Sequence, residues 1–351
     1  MFRENIISEL KQKITLNPDC VDNYFNLANY YIGSDDLNNA LNVYKEVLKI
    51  KPNDYQALIN MGSICFYKKL YIEAIDCYIK AIKVEPDNYA SYYNLGNVYA
   101  EIENFESALV NYEKALELSP ERQEIYTAMG YLYQDIDNLQ LSKKYFERAI
   151  DLDCTNSENY INIANIEQKL GNIEDSLMNY QKALELNPND AKAMLCVANT
   201  YATLKNYSKA QEYFDKTIQL DSNYYSAWVC RAIAYCDDKK NSEAIMLLKQ
   251  AIEIEPEKSN AYVLLANILV DEKRYEEALL VYKTVQKILI NNPKISTFIA
   301  NTYVMLDDYQ NAVKYYKKAM KQSPKDNEIK LIYIETLNKY INDKLKGKYE
   351  N

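Results

Sequence analysis

The sequence predicts an all-α solenoid of antiparallel helix pairs, and three observations carry that expectation. Prolines stand at 18, 52, 86, 120, 188, 256 and 324, with every interval 34 or 68 residues. Cys154, Ser222 and Ile290 fill the vacant slots, so the period runs on where the proline is lost. Within each period apolar residues recur at helical spacing, with a small residue fixed at two places. Self-similarity of this length marks a stack of supersecondary units, none of which buries its apolar face alone.

Counted from three residues after each proline slot, nine units follow: 21–54, 55–88, 89–122, 123–156, 157–190, 191–224, 225–258, 259–292 and 293–326. Each holds a helix A and a helix B. Position 8, on helix A, is always Gly or Ala, from Ala28, Gly62 and Gly96 through to Ala300. Position 20, on helix B, is always Ala or Ser, and position 24 is Tyr or Phe except at Leu248. Small residues at 8 and 20 let the helices approach, while large ones at 4, 7, 11, 17 and 24 fill the space around them. Leu95 and Tyr112 are therefore expected in the core. Breaks such as Glu103-Asn104-Phe105 and Leu170-Gly171-Asn172 divide A from B, and the proline slot stops B.

The phase extends beyond both ends of this array. Ile6, Leu10 and Pro18 occupy positions 20, 24 and 32 of a lone helix B over 1–20. The segment 327–351 forms a capping helix with a basic tail, in which Lys339, Lys344, Lys346 and Lys348 solubilise the end and favour its dipole.

Composition closes off several functions. The 351 residues carry 41 Lys+Arg against 50 Asp+Glu, a net charge of −9, which disfavours nucleic acid. No histidine is present, so His-based acid–base work, Ser-His-Asp and Cys-His nucleophiles and His-ligated metal are excluded. Six glycines are too few for a phosphate-cradling loop. Seven scattered cysteines without a CxxC pair suit reduced thiols. With neither a secretory h-region nor a membrane-length apolar run, the expected compartment is the cytoplasm. No enzyme activity, cofactor or metal is expected.

The third unit, YASYYNLGNVYAEIENFESALVNYEKALELSP (89–120), resembles the tetratricopeptide repeat (TPR) family, and the resemblance covers 21–326. It implies a right-handed superhelix, with A helices lining the concave face and B helices outside. It also implies a non-catalytic scaffold that binds other proteins.

Positions 2, 5, 6, 9, 12 and 13 of helix A are not claimed by the core and are free to face the groove. Position 6 carries Asn26, Asn60, Asn94 and Asn162; position 9 carries Asn29, Asn97, Asn165, Asn199, Asn267 and Asn301. A carboxamide complements a peptide unit without charge. Helices about 10 Å apart match about three residues of extended chain. Similar proteins hold peptide backbone on such a ladder; the alternative is local helix contact or solvation. Position 5 offers an apolar strip, Phe25, Ile59, Tyr93, Ile161, Leu195, Val229 and Val263, which faces a partner or packs on the adjacent helix A. Glu101, Asp135, Asp237 and Asp271 at position 13 favour Lys or Arg on a ligand, or are simply solvated. The expected partners are thus apolar or basic protein segments.

Several relatives' functions are disfavoured. Position 5 lacks the basic residue a carboxylate clamp needs. The 34-residue period and acidity are unlike RNA-reading repeats. Twenty residues before the first unit leave no room for a DNA-binding helix-turn-helix, and no glycosyltransferase domain follows the array. Self-association through the ends or convex face, or service as an adaptor subunit whose activity lies in another chain, is the alternative reading.

Two residues break the core pattern: Arg231 at position 7, either snorkelling or marking a bend, and Glu167 at position 11. Cys196 and Cys230 share position 6 one repeat apart, and read as small hydrophobes. Most of the 35 tyrosines fall on core positions, leaving Tyr30, Tyr67 and Tyr131 as candidate anchors.

Overall fold

Asp or Asn stands before most of the helices, and its side chain caps the first turn. Asp54, Asn88, Asn156, Asp190 and Asn292 do so for A helices; Asp36, Asn104, Asn138, Asn206 and Asp308 do so for B helices. The computed structural model describes residues 2–349, with side chains from residue 5 to 345 except 343. Lys346 and Lys348 of the expected basic tail lie outside the described side chains.

The described residues form twenty helices and no strand, an all-α solenoid. The A helices are α2 (Val21–Gly33), α4 (Tyr55–Tyr67), α6 (Tyr89–Glu101), α8 (Gln123–Asp135), α10 (Ser157–Leu170), α12 (Ala191–Thr203), α14 (Tyr225–Asp237), α16 (Ser259–Asp271) and α18 (Pro293–Met305). The B helices are α3 (Leu37–Ile50), α5 (Tyr71–Val84), α7 (Phe105–Leu118), α9 (Leu139–Leu152), α11 (Ile173–Leu186), α13 (Tyr207–Leu220), α15 (Asn241–Ile254), α17 (Tyr275–Ile288) and α19 (Tyr309–Gln322). α1 (Phe2–Leu16) precedes them and α20 (Asn327–Tyr349) follows. The chain divides into two compact units, Met1–Gly171 and Asn172–Asn351.

Helix A ends in a tight turn whose third residue is left-handed: Asp35, Lys69, Glu103, Asp137, Lys205, Lys239, Lys273 and Asp307 all have φ between 54° and 60°. Only Gly171, at φ 83°, meets this demand without a Cβ penalty. The next residue's N–H returns to the carbonyl five residues back, as from Asn104 to Tyr99 (2.9 Å) and Asn206 to Tyr201 (2.9 Å), which completes a Schellman-type cap. Three of the loops that lead into a helix A are tied down differently. Tyr24, Tyr126 and Trp228, all at position 4, donate to the carbonyls of Pro18, Pro120 and Ser222.

The core repeats one contact. Gly62, Gly96 and Gly130 lie under the rings of Tyr78, Tyr112 and Phe146, so close that an added Cβ would fall 2.6–2.7 Å from a ring carbon. Ala40, Ala74, Ala108, Ser142, Ser176, Ala210, Ala244, Ala278 and Ala312, at position 20, are all fully buried. In the first unit, α1 lays Ile7, Leu10 and Ile14 on the α2–α4 core.

Both irregular residues have partners on the preceding helix B. Glu167 is buried and paired with Lys143 of α9. Arg231, its side chain 17% exposed, meets Asp215 (2.8 Å) and Gln211 (2.8 Å) of α13 and lies over the Tyr235 ring. It neither snorkels free nor stands unpaired.

Leu95 and Tyr112 are 4% and 2% exposed. Leu95→Ala or Tyr112→Ala is expected to lower unfolding free energy by about 2–5 kcal/mol, read by urea denaturation. A midpoint equal to wild type would place them outside the core.

Candidate functional site

Within the first unit α4 touches α6 and α6 touches α8, so these A helices form one continuous face. A cleft of about 400 Å³ opens on it. Its walls are Phe66, Tyr93, Tyr112 and Tyr131, with Asn97 beside them and the carboxylates Glu101, Glu124 and Asp135 around the rim. No lysine or arginine lines it, and among the described residues none of these carboxylates is ion-paired. Glu101 accepts from the Tyr71 hydroxyl (3.4 Å) and Glu124 from Tyr89 (3.1 Å). Glu158 accepts from Tyr131 (2.7 Å), adding a fourth carboxylate nearby. Thr127, on the wall, donates to Asn159 Oδ1 (3.1 Å), and the Asn159 Nδ2 is buried without an acceptor.

A second cleft of about 400 Å³ lies between α2 and α4, lined by Asn29, Ile32, Leu37, Tyr44, Asn60, Ser63, Ile64 and Tyr67, with Asp35 at its edge. It occupies the same register two repeats earlier. Asn29, Ile32, Tyr44, Ser63, Ile64 and Tyr67 correspond to Asn97, Ala100, Tyr112, Tyr131, Leu132 and Asp135. Where the α6/α8 cleft has a carboxylate, this one has Tyr67, 74% exposed.

The asparagines divide by what their carboxamides already hold. Position 24 sends a tyrosine hydroxyl through to the A-helix face, and position 9 of the same repeat or position 6 of the next receives it. Tyr112 donates to Asn97 Oδ1 (2.8 Å), Tyr282 to Asn267 (2.5 Å) and Tyr316 to Asn301 (2.5 Å). Ser63 pairs with Tyr78 (3.2 Å) in the same way. Asn60 donates to the Tyr44 hydroxyl (3.0 Å) and accepts from Gln56 (3.0 Å), leaving little for a ligand. Asn162, buried, donates to Tyr131 (2.7 Å); Asn165 is engaged within the chain; Asn199 hydrogen-bonds the Cys230 thiol. Asn26 and Asn29 are exposed and Asn94 half-buried, and their carboxamides have no hydrogen-bond partner among the described residues. Local helix contact, the simpler of the two sequence readings, thus describes most of the ladder.

Position 5 also divides. Ile161, Leu195 and Val229 are buried, so they pack on neighbours and form no open strip. Phe25 and Tyr93 are half-buried and lean on the Tyr44 and Tyr112 rings at 5.6 and 6.2 Å. Tyr93 and Asn97 share the α6/α8 cleft; Asn29 and Asn60 share the α2/α4 cleft. Among the described residues no His/Cys/Asp/Glu group is placed to hold a metal, and no helix is long and apolar enough to cross a membrane.

Known proteins bear the same signature. A family model described as the Cilia and flagella-associated protein 70 C-terminal domain matches residues 137–342, and two tetratricopeptide repeat models match 54–121 and 21–54. The chain belongs to the tetratricopeptide-repeat family. Yeast Tom70 is similar in fold, with a TM-score of 0.53 and 15% identity over 97% of this chain and 93% of that one. Cut9, from the APC/C hetero-tetramer Cut9-Hcn1, gives a TM-score of 0.50 and 16% identity over 90% and 63%. YrrB, described as a TPR protein with an unusual peptide-binding site, gives 0.47 and 26% over 54% and 97%. No curated protein matches the chain. None of the matched family models describes an enzyme.

In this TPR chain the sequence left several cleft residues unmarked: Phe66, Ala100, Glu124 and Thr127. The signal for Tyr131 was present, because it holds position 9 opposite Phe146, the one early repeat whose ring lacks a hydroxyl.

Burial pushes the hydroxyls of Tyr78, Tyr131 and Tyr282 up to about 12, and those of Tyr44, Tyr112, Tyr180 and Tyr316 also upward. Because the fold holds the neutral phenol, its stability is whole below the ordinary value of 10 and is lost as pH rises through the folded value. Unfolding free energy from urea denaturation should stay level to about pH 10 and fall by about 2–3 kcal/mol for each of Tyr78 and Tyr282 by pH 12. A flat profile over that span would contradict the burial.

Asn97→Ala strands the Tyr112 hydroxyl and is expected to cost about 1–3 kcal/mol of stability, whereas Asn94→Ala should lie within about 0.5 kcal/mol of wild type. Paired thermal or urea melts check the difference. Equal melts would mean Asn97 is not bound to the core.

Proposed function

We propose that this chain is a non-catalytic scaffold that holds extended segments of other proteins along its A-helix face, and that those segments are apolar and basic. The observation supporting this is the pair of register-equivalent clefts, one apolar-aromatic and one aromatic with unpaired carboxylates. Tyrosine and phenylalanine walls supply rigid area at low entropic cost and suit a cation's face-on approach. Uncompensated carboxylates at the rim steer Lys or Arg toward the cleft and oppose acidic segments.

The asparagines contribute from one side only. Where Oδ1 of Asn97 is taken by Tyr112, the Nδ2 protons remain to donate to a peptide carbonyl. Asn26, Asn29 and Asn94 offer both halves. Two repeats at about 10 Å each separate the clefts by about 20 Å, or about six residues of extended chain. The preferred segment therefore carries a large apolar residue about six positions from a lysine or arginine.

Fluorescence anisotropy with labelled peptides of this design tests the reading, with scrambled and Lys→Glu versions as controls. Glu101→Gln with Asp135→Asn should weaken binding about five- to tenfold and flatten its salt dependence, with melting unchanged, because both side chains are exposed. Asn94→Ala should weaken peptides of either charge alike. Binding indifferent to all three substitutions would remove the A-helix face from consideration.

A further inference from the structure

α20 carries two apolar faces. Ile329 and Thr336 are buried, and Ile332 and Tyr333 pack on Ala300, Ala312 and Tyr316 of the preceding pair. At 3.6 residues per turn, a second row lies about 170° round the helix from these. It consists of Leu331, Ile334, Asn338, Ile341 and Leu345, whose four apolar members are 63%, 52%, 44% and 48% exposed. Solvent-facing apolar residues in such a row need a cover.

Their spacing identifies the cover. The intervals are three, four, three and four, which places Leu331, Asn338 and Leu345 at heptad position a and Ile334 and Ile341 at d. A strict a/d seam fits another helix with the same seam. A lone asparagine at a is satisfied by the same asparagine across a parallel two-stranded pair, and it fixes register at some expense of stability. The flanking charges agree. Lys330 falls at g and Glu335 at the e position five residues on, so a parallel pair sets each lysine against its partner's glutamate. An antiparallel pair would bring Lys330 toward Lys344 instead. Because α20 is already folded on α19, the pair need not meet the nucleation cost that makes isolated two-heptad helices marginal.

We infer that two copies of this chain associate through α20 as a parallel two-stranded coiled coil over residues 331–345, on the helix face turned away from α19. The surface is separate from the clefts on the A helices, so the chain presents its binding face twice per dimer.

Sedimentation of the full chain across micromolar to high-micromolar concentrations tests this. A concentration-dependent dimer is expected. Ile334→Glu with Ile341→Glu should weaken it by at least about tenfold without changing helix content or melting, since both side chains are solvent-facing. Lys330→Glu should weaken it and Lys330→Glu with Glu335→Lys should restore it, an outcome peculiar to the parallel register. A chain that stays monomeric throughout, a dimer that survives the double glutamate variant, or open-ended head-to-tail oligomers would each overturn the inference.

Discussion

Everything in this molecule depends on how closely helix A can approach helix B. The ring at position 24 sits directly on the backbone at position 8, where Gly62, Gly96 and Gly130 leave no room for a Cβ and the other repeats admit only alanine. A ring driven that far under helix A brings its para position out on the other side. When the ring is tyrosine, the hydroxyl emerges among the A helices and must find a partner there, since a buried unpaired hydroxyl costs about 1–3 kcal/mol. Asparagine or serine at position 9, or asparagine at position 6 of the next repeat, meets that need. Much of the polar lining of the A-helix face is thus set by the core.

This explains which parts of the architecture were legible in the sequence. Period, helix boundaries and small residues are local or strictly repeated, and they determine each other. The role of an asparagine is not local. The letter N at positions 6 and 9 suits a peptide ligand and a tyrosine hydroxyl equally, and only the distance from Tyr112 to Asn97 separates them. A trace was available nonetheless. Where position 24 becomes Leu248, position 9 becomes Ile233, and where it becomes Phe146, position 9 becomes Tyr131, although Phe214 keeps Asn199. The clefts were less legible still, because each draws on positions 9, 12 and 24 of one repeat and 9, 10 and 13 of the next.

The two charges in the core teach a related lesson. Glu167 and Arg231 sit on different helices and carry opposite signs, yet each turns to the preceding helix B: Glu167 meets Lys143 at position 21, and Arg231 meets Gln211 at 21 and Asp215 at 25. Removing Lys143 would leave the buried Glu167 carboxylate unpaired and cost up to about 3–5 kcal/mol, whereas Asp215 is 50% exposed and exposed pairs such as Lys80–Asp76 contribute well under about 1 kcal/mol. A substitution that breaks the repeat pattern is tolerated when the neighbouring repeat changes with it, so the coupled unit is the interface between repeats as well as the repeat.

Exposed apolar side chains are scattered along the stack, Ile72, Val110 and Leu280 among them, but on α20 they fall in a regular row. α1 lays Ile7, Leu10 and Ile14 inward on the α2–α4 core and leaves only Leu16 among its described large apolar side chains strongly exposed. α20 has the same inward face and a second one besides, arranged in heptads. Because a coiled-coil seam is narrow and a globular packing stripe is wide, the two faces of α20 are fitted to different kinds of neighbour: a helix pair of its own array on one side, a single matching helix on the other.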